Sequence, residues 1–449
     1  MECLNAREVA LRILYKIDVD KAYIDIALDN SLRKTKLEQY DRRFVSELVH
    51  GVIRWKLTID YIIEQFSQIK FNKISLWILN ILRLGIYQIM FMDKIPASAA
   101  CNESVQLSKK YGHSASVKFV NGILRNIERN KHNIQYPDIK TDKIKHLSVK
   151  YSFPEWMVRR WLERYGEDFT ADFMRHSNGV PPLTIRVNSL KISRNKLKDM
   201  LSAEGFVCSN AYYADNAMVL QHTGALTDMH AFNAGYFQPQ DESSMLAVQI
   251  LDPKQNETIM DVCAAPGGKA AYIAELMNNK GLVIGRDIYE NKIRLVEKLV
   301  KRLEIDIVRT QVHDALVIDE SMIGKADRVI IDAPCTGFGI IRRKPDIKWH
   351  RTESQSNEII NIQQKMLDVC SRYVKPGGVI VYSTCTIEPA ENVEMFKKFI
   401  QSHPEFYPID FTDILPRNFK KQTAASGYIQ LYPNTDKTDG FFIAKARRK

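Results

Sequence analysis

Along residues 1–130, hydrophobic positions recur every third or fourth residue, the spacing of a helix that buries one face. Ala6–Ile17 places Val9, Ala10, Ile13, Leu14 and Ile17 on one stripe. The same period predicts helices at Phe44–Val52, Leu57–Phe66, Leu76–Met90, Ala97–Tyr111 and Ala115–Glu128, with Pro96 interrupting the run. No stretch here reads as a strand, so an all-α module is expected. Ile74–Met92 is apolar enough to be weighed as a membrane span, but it carries Asn80, Arg83 and Gln88 and lacks a clean apolar run. It is expected to be a buried helix, and no membrane association is expected.

Residues 131–145 are polar and lysine-rich, with Pro137, and read as a linker. The next stretch is mixed. Helices are expected at Pro154–Tyr165 and Asp168–His176 and a strand at Leu183–Val187. A helix over Leu190–Glu204 follows, with Ser193 as a cap and Gly205 at its end, and then a short strand near Ala217–Leu220. From about Gly235 the rhythm becomes strand, turn, helix, repeated. Strands are predicted at Glu257–Cys263, Leu282–Asp287, Ile307–Val312, Arg328–Asp332 and Gly378–Cys385. Helices are predicted at Lys269–Asn278, Asn291–Leu303 and Ile359–Tyr373. Such alternation implies a doubly wound, mostly parallel sheet. The expected organisation is an all-α module at 1–135, a small α+β domain at 145–235 and an α/β Rossmann-like domain at 236–449.

Charge sharpens this division. The 449 residues carry a net charge of +11, and residues 1–150 hold +9 of it. A basic amino-terminal module fits a polyanionic partner, although a set of solvated lysine faces would give the same count. The seven cysteines are scattered, with no C-x-x-C pair, which argues against a disulfide scaffold or zinc site and for a reducing, cytoplasmic setting. None of the ten histidines shows metal or triad spacing, and no metal is expected.

Four motifs sit where the predicted strands turn into loops. Asp261-Val-Cys263-Ala264-Ala265-Pro266-Gly267-Gly268-Lys269 follows the first strand of the α/β domain, and its small residues would let the backbone approach a ligand. Asp287 ends the next strand, the position from which a carboxylate reaches ribose hydroxyls. Asp314 ends the third and could accept a hydrogen bond from an adenine amino group. The chain has neither G-x-G-x-x-G nor a phosphate-binding G-x-x-x-x-G-K-[ST] loop, so a nucleoside ligand without pyrophosphate fits better than a dinucleotide. Asp332-Ala-Pro-Cys335-Thr-Gly-Phe-Gly339 ends the fourth strand and Ser383-Thr-Cys385-Thr386 the fifth. Adjacent strand ends thus present a carboxylate and two thiols, and a thiolate is a strong nucleophile. Small buried hydrophobes would be the plain alternative for both cysteines. Arg342-Arg343-Lys344, just beyond, could hold phosphates or a base edge, or could be a solvated run.

These residues resemble the RNA cytosine carbon-5 methyltransferases. The matching pieces are Phe237-Gln-Pro-Gln240-Asp241-Glu242-Ser243-Ser244, the run at 263–269, Asp287, Asp314, the motifs at 332–339 and 383–386, and Asp439-Gly440-Phe441-Phe442. The amino module resembles a NusB-type RNA-binding domain on Pro96-Ala-Ser-Ala-Ala100, Asn102-Glu103-Ser-Val and Phe119-Val-Asn121-Gly122-Ile-Leu-Arg125. Fused modules of these two kinds resemble the bacterial type that acts on 16S ribosomal RNA.

The resemblance implies S-adenosylmethionine as cofactor, held by residues 263–269, Asp287, Asp314 and Asp332. It implies Cys385 as nucleophile and Cys335 in product release; beside it, the chemistry of addition to carbon 6 asks for an acid at ring nitrogen N3, for which Asp332 is placed, and the cationic run offers Arg342 and Arg343 to the substrate. A monomer suffices for this chemistry. Residue logic alone does not order the two thiols. Two rival functions remain at this level: a transfer-RNA cytosine methyltransferase, and a non-catalytic RNA-binding assembly factor.

Overall fold

The computed structural model describes residues 5–221, 224–416 and 419–449, so Cys3 lies outside the described residues. The chain divides into two compact units, residues 1–179 with 343–350, and residues 180–342 with 351–449. The boundary at Gly179 falls inside the 145–235 segment.

The first unit is helical: Ala6–Asp20, Ile24–Leu32, Gln39–Arg54, Lys56–Phe66, Leu76–Phe91, Ala97–Tyr111, Ser114–Asn130, Lys143–Tyr151, Glu155–Tyr165 and Glu167–Ser177. The first helix begins where Asn5 Oδ1 accepts from the Glu8 N–H at 2.8 Å. Apolar faces close a core containing Val9, Leu14, Val45, Ile62, Leu82 and Leu124. Leu76–Phe91 is the stretch weighed as a membrane span. Its polar side chains are buried but satisfied: Arg83 donates to Asp60 at 2.7 and 2.8 Å and to Asp18 at 2.7 Å. No helix among the described residues is long and apolar enough to cross a membrane. The apolar period does not announce Ile24–Leu32 or Lys143–Tyr151. The latter begins inside the stretch expected as a linker, where Asp142 Oδ1 accepts from the Lys145 N–H at 2.9 Å.

Residues 343–350 belong to the same unit. Asp346 accepts from the Ile24 N–H at 3.1 Å. Lys348 donates to the carbonyls of Arg54 and Ser152 at 2.9 and 3.0 Å and to Asn178 Oδ1 at 2.8 Å. Trp349 Nε1 donates to the Ile53 carbonyl at 2.8 Å. Four of these partners lie at or next to helix ends whose backbone groups have no partner within the helix.

In the second unit, β1 (Thr184–Val187), β2 (Val207–Asn210), β3 (Ala217–Gln221) and β4 (Phe237–Pro239) form an antiparallel sheet of order β2-β3-β1-β4. Ser193 caps the helix Arg194–Ala203, as the sequence predicts. The larger sheet contains β5 (Thr258–Asp261), β6 (Leu282–Asp287), β7 (Val308–Val312), β8 (Ala326–Asp332), β9 (Val374–Thr384), β10 (Phe406–Pro408), β11 (Tyr428–Leu431) and β12 (Phe441–Arg448). Its order is β10-β12-β9-β8-β5-β6-β7, with β11 also on β12. Strands β5 to β9 pair in parallel, and β12 runs antiparallel to β9.

Helices cover both faces, so the central strands are apolar on both sides. Met260, Val283, Val329, Ile330, Ile331 and Val381 are all fully buried. The chain lays β6 and β7 on one side of β5, then crosses to place β8 and β9 on the other. At that reversal the connections diverge and a crevice opens beyond the carboxyl ends of the strands.

Candidate active site

The reversal between β5 and β8 brings the sequence motifs together. A cavity of about 380 Å³ lies there, bounded by Cys263, Ala265, Asp287, Asp314, Asp332 and Pro334, among others. Asp287 ends β6, and its Oδ1 accepts from the Tyr289 N–H at 3.1 Å, which turns the chain at the rim. Asp314 Oδ1 caps a turn through the Leu316 N–H at 2.9 Å. Both carboxylates face the volume in which the sequence places a nucleoside.

The 263–269 loop divides its work. Cys263 and Ala265 line the cavity. Ala264 is buried, its N–H donating to the Arg286 carbonyl at 2.7 Å. The Ala265–Pro266 peptide is cis, and Gly267 then turns the chain at φ 109°. A Cβ on Gly267 would lie 3.1 Å from Leu299 and would carry a strained backbone as well. Gly268 opens the helix Gly268–Leu276. Lys269 does not line the cavity. Its Nζ donates to Asp332 Oδ2 at 2.6 Å and to Ser244 Oγ at 3.3 Å, over the ring of Phe441. Burial opposes the charge on this ammonium, but Asp332 outweighs it and the Lys269 pKa is raised. Beneath them Asp261 is wholly buried, with the Cys263 backbone N–H beside its carboxylate. Burial, with Asp332 and Asp287 adding and Lys269 opposing, raises its pKa to about 7.

Asp332 joins this cluster to the thiols. Its Oδ1 accepts from Ser383 Oγ at 2.9 Å, in the register that pairs Asp332 with Ser383 across β8 and β9. The two loops beyond bring Cys335 Sγ and Cys385 Sγ within 3.1 Å. The contact with Cys385, reinforced by burial, raises the Cys335 thiol pKa well above its ordinary value. Either thiol can donate in that contact. Cys101, Cys208 and Cys370 are unpaired thiols outside this cluster, and burial raises the pKa of each.

The cationic run does not form a patch beside the thiols. Arg342 is buried, with Nε donating to Asp439 Oδ1 at 2.6 Å and Nη2 ion-paired with Asp241 Oδ2 at 3.7 Å. That ion pair ties the Asp439-Gly440 turn to the thiol loop. Gly339 N–H donates to the Cys385 carbonyl at 3.0 Å and Gly440 N–H to the Gly339 carbonyl at 2.9 Å. A Cβ on Gly339 would lie 1.9 Å from the Gly440 oxygen. Arg343 and Lys344 fall in the helical unit, where Lys344 faces Asp25 at 3.7 Å.

Sequence reasoning misses Arg186 and Glu391. Arg186, on β1, is fully buried against Glu275 at 2.7 and 3.0 Å and donates to the Gly268 carbonyl at 2.9 Å, so the small sheet braces the cofactor loop. A lone arginine within an apolar strand was the available signal. Glu391, in the loop after β9, accepts from Thr336 beside Cys335. No spacing rule marks it. Among the described residues no cluster of His, Cys, Asp and Glu could hold a metal ion.

A doubly wound sheet with a glycine loop, two strand-end carboxylates and a cavity at its switch point is the framework of a Rossmann-like methyltransferase. The comparisons with known proteins narrow this. Residues 248–447 match the family described as 16S rRNA methyltransferase RsmB/F, residues 4–129 the NusB family, and residues 153–227 the ferredoxin-like domain of RsmF/B-like methyltransferases.

The chain is 38% identical, over the full length of both, to the probable ribosomal RNA small subunit methyltransferase B of Bacillus subtilis (strain 168). It is 34% identical to that of Synechocystis sp. over 99% of this chain and 100% of the relative. The crystal structure of PH0851 superposes with a TM-score of 0.81 over 99% of both chains at 26% identity. That of a methyltransferase homolog protein from Pyrococcus horikoshii gives 0.59 over 69% of this chain and 99% of that one, at 29% identity. The chain belongs to the RsmB/F family of S-adenosylmethionine-dependent rRNA methyltransferases. A cavity edged by Asp287 and Asp314, in a chain with no phosphate-binding loop motif, fits that cofactor.

Proposed function

We propose that this protein methylates carbon 5 of a cytosine in 16S ribosomal RNA through a covalent bond from Cys385 to carbon 6. The observation that carries this is the thiol pair at 3.1 Å, on the loop ends beyond Asp332, which itself lines the cavity and holds Lys269 at 2.6 Å. Cytosine carbon 5 is too electron-poor to attack a methyl group directly. Addition of a thiolate at carbon 6 makes carbon 5 enamine-like and divides one hard step into two.

Cys385 is assigned as the attacking sulfur on the resemblance carried by its Ser383-Thr-Cys385-Thr386 motif, and the raised pKa of the buried Cys335 thiol suits a proton donor beside it. As the carbon–sulfur bond forms, N3 takes a proton relayed from the Lys269 ammonium through Asp332, 2.6 Å away, and returns it by the same path when that bond breaks. Bound in the cavity, S-adenosylmethionine supplies an electrophilic methyl group. Afterwards the carbon-5 proton leaves to solvent, the carbon–sulfur bond breaks, and the electron pair returns to Cys385, where the Cys335 S–H stabilises it. The target base must stand out of its stack for a thiol to reach the ring face.

The basic amino-terminal residues supply salt-dependent affinity for the RNA. A cytoplasmic setting belongs to this reading, supported by the rRNA substrate and the scattered cysteines, and one copy of the chain contains every group used.

Tritium transfer from labelled S-adenosylmethionine tests the reading, with unmodified 16S RNA and bulk transfer RNA in parallel and nucleoside digestion afterwards. Label in 5-methylcytidine from 16S RNA alone is expected. Label from transfer RNA alone would overturn the substrate, and label from neither would favour a non-catalytic assembly factor.

A further inference from the structure

The loops carrying Cys335 and Cys385 share one buried anchor, Glu391–Asn392, both fully inaccessible. Glu391 Oε1 accepts from Thr336 Oγ1 at 2.5 Å. Its Oε2 accepts from the Thr336 N–H at 3.0 Å and from Gln363 Nε2 at 2.9 Å. Gln363 Nε2 also donates to the Pro334 carbonyl at 2.9 Å. The residues on both sides of Cys335 are thus tied to Glu391, one directly and one through Gln363. Asn392 treats Cys385 the same way: its Oδ1 accepts from Thr384 Oγ1 at 2.6 Å, and its Nδ2 donates to the Thr386 carbonyl at 3.0 Å. Thr336 and Thr386 close the frame, hydroxyl to hydroxyl, at 2.7 Å. Since Thr336 gives its proton to Glu391, Thr386 is the donor in that contact.

We propose that Glu391 and Asn392 are positioning residues that set the separation of the two catalytic sulfurs. This rests on the roles given to Cys335 and Cys385 above. A carboxylate buried without a cation costs stability unless donors surround it, and an apolar filling of the same shape would be cheaper. The donors that Glu391 gathers are those beside Cys335, so its cost is spent on that loop. Its charge also reaches the thiols and is one of the influences that keep the proton on Cys335.

The test uses the full chain and the tritium assay, with kcat and KM separated, S-adenosylmethionine affinity by calorimetry, and thermal unfolding. Thr336→Val keeps the shape and loses the hydroxyl, whereas Thr336→Ser keeps both donors. A thiol displaced by ~1 Å costs about 10²-fold, so Thr336→Val should lose on the order of 10–10² in kcat with cofactor affinity and KM unchanged. Thr336→Ser should restore it. Glu391→Gln should lose kcat as well and move the kcat–pH profile to lower pH, because, with the Cys385 contact and burial still raising the Cys335 pKa, the smaller contribution of the Glu391 charge is gone. Wild-type turnover in folded Thr336→Val would overturn the proposal. So would a loss of cofactor affinity and unfolding temperature in step with kcat, which would mark a merely structural role. An inactive wild-type chain that still binds cofactor would instead fault the reading of the thiols.

Discussion

Replacing Arg186 by Met isolates the buried brace between β1 and the cofactor loop. Arg186 and Glu275 are both without solvent exposure, held at 2.7 and 3.0 Å, and the guanidinium also covers the ring of Tyr272 at 4.7 Å. Removing one partner of such a pair costs about 3–5 kcal/mol. The Gly268 carbonyl loses its donor too, for ~1 kcal/mol more. In a domain of this size each ~1 kcal/mol moves the unfolding temperature by about 2–4 °C, so a fall on the order of 10–20 °C is expected.

The pH dependence has a definite sign. Burial already raises the Glu275 pKa while Arg186 opposes it. Without Arg186 it rises further. A carboxyl whose folded value exceeds its unfolded one favours the fold below the unfolded value and penalises it as pH rises through the folded value. The deficit should therefore narrow on acidification and widen again toward neutral pH. Arg186→Met with Glu275→Met should recover most of the loss, since apolar replacement of a whole buried pair is often neutral. Scanning calorimetry of the wild type and the two variants across pH provides the measurement. An unchanged unfolding temperature in Arg186→Met, or a deficit independent of pH, would refute the reasoning.

Two further perturbations follow from the same geometry. With the release role proposed for Cys335, Cys335→Ala should let a covalent protein–RNA species accumulate as a slow band on a denaturing gel; full turnover with no such band would count against that role. Gly339→Ala drives a Cβ against the Gly440 backbone, and overpacking there should cost about 1–3 kcal/mol while methyl transfer falls far more than cofactor affinity, as paired unfolding and binding measurements would show.

Much of the fold was legible where local chemistry punctuates the pattern. Ala97–Tyr111 matches at both ends because Pro96 and Gly112 bracket it, and Leu282–Asp287 matches because a buried parallel strand is one apolar run. Ile24–Leu32 escaped because it is short and rich in Asp and Asn. Strand β12 escaped because Phe441-Phe442-Ile443-Ala444 has no alternation, being covered on both faces.

In the site, Cys335, Cys385 and Asp332 were legible because adjacent strand ends must converge. Arg342 was misread because its partner, Asp439, lies 97 residues further on. A charge run looks solvated until the buried carboxylate is in view. Glu391 and Asn392 were invisible for the same reason, since loops rather than any period bring them to the thiols.

The central claim is most directly tested by offering the protein, with S-adenosylmethionine, an RNA whose target cytosines carry fluorine at carbon 5. Fluorine cannot leave as a proton does, so the adduct should stop after methyl transfer, and mass spectrometry of the digested complex should find the modified base on Cys385. A base attached to Cys335, or methylation-competent enzyme with no attached base, would contradict the account.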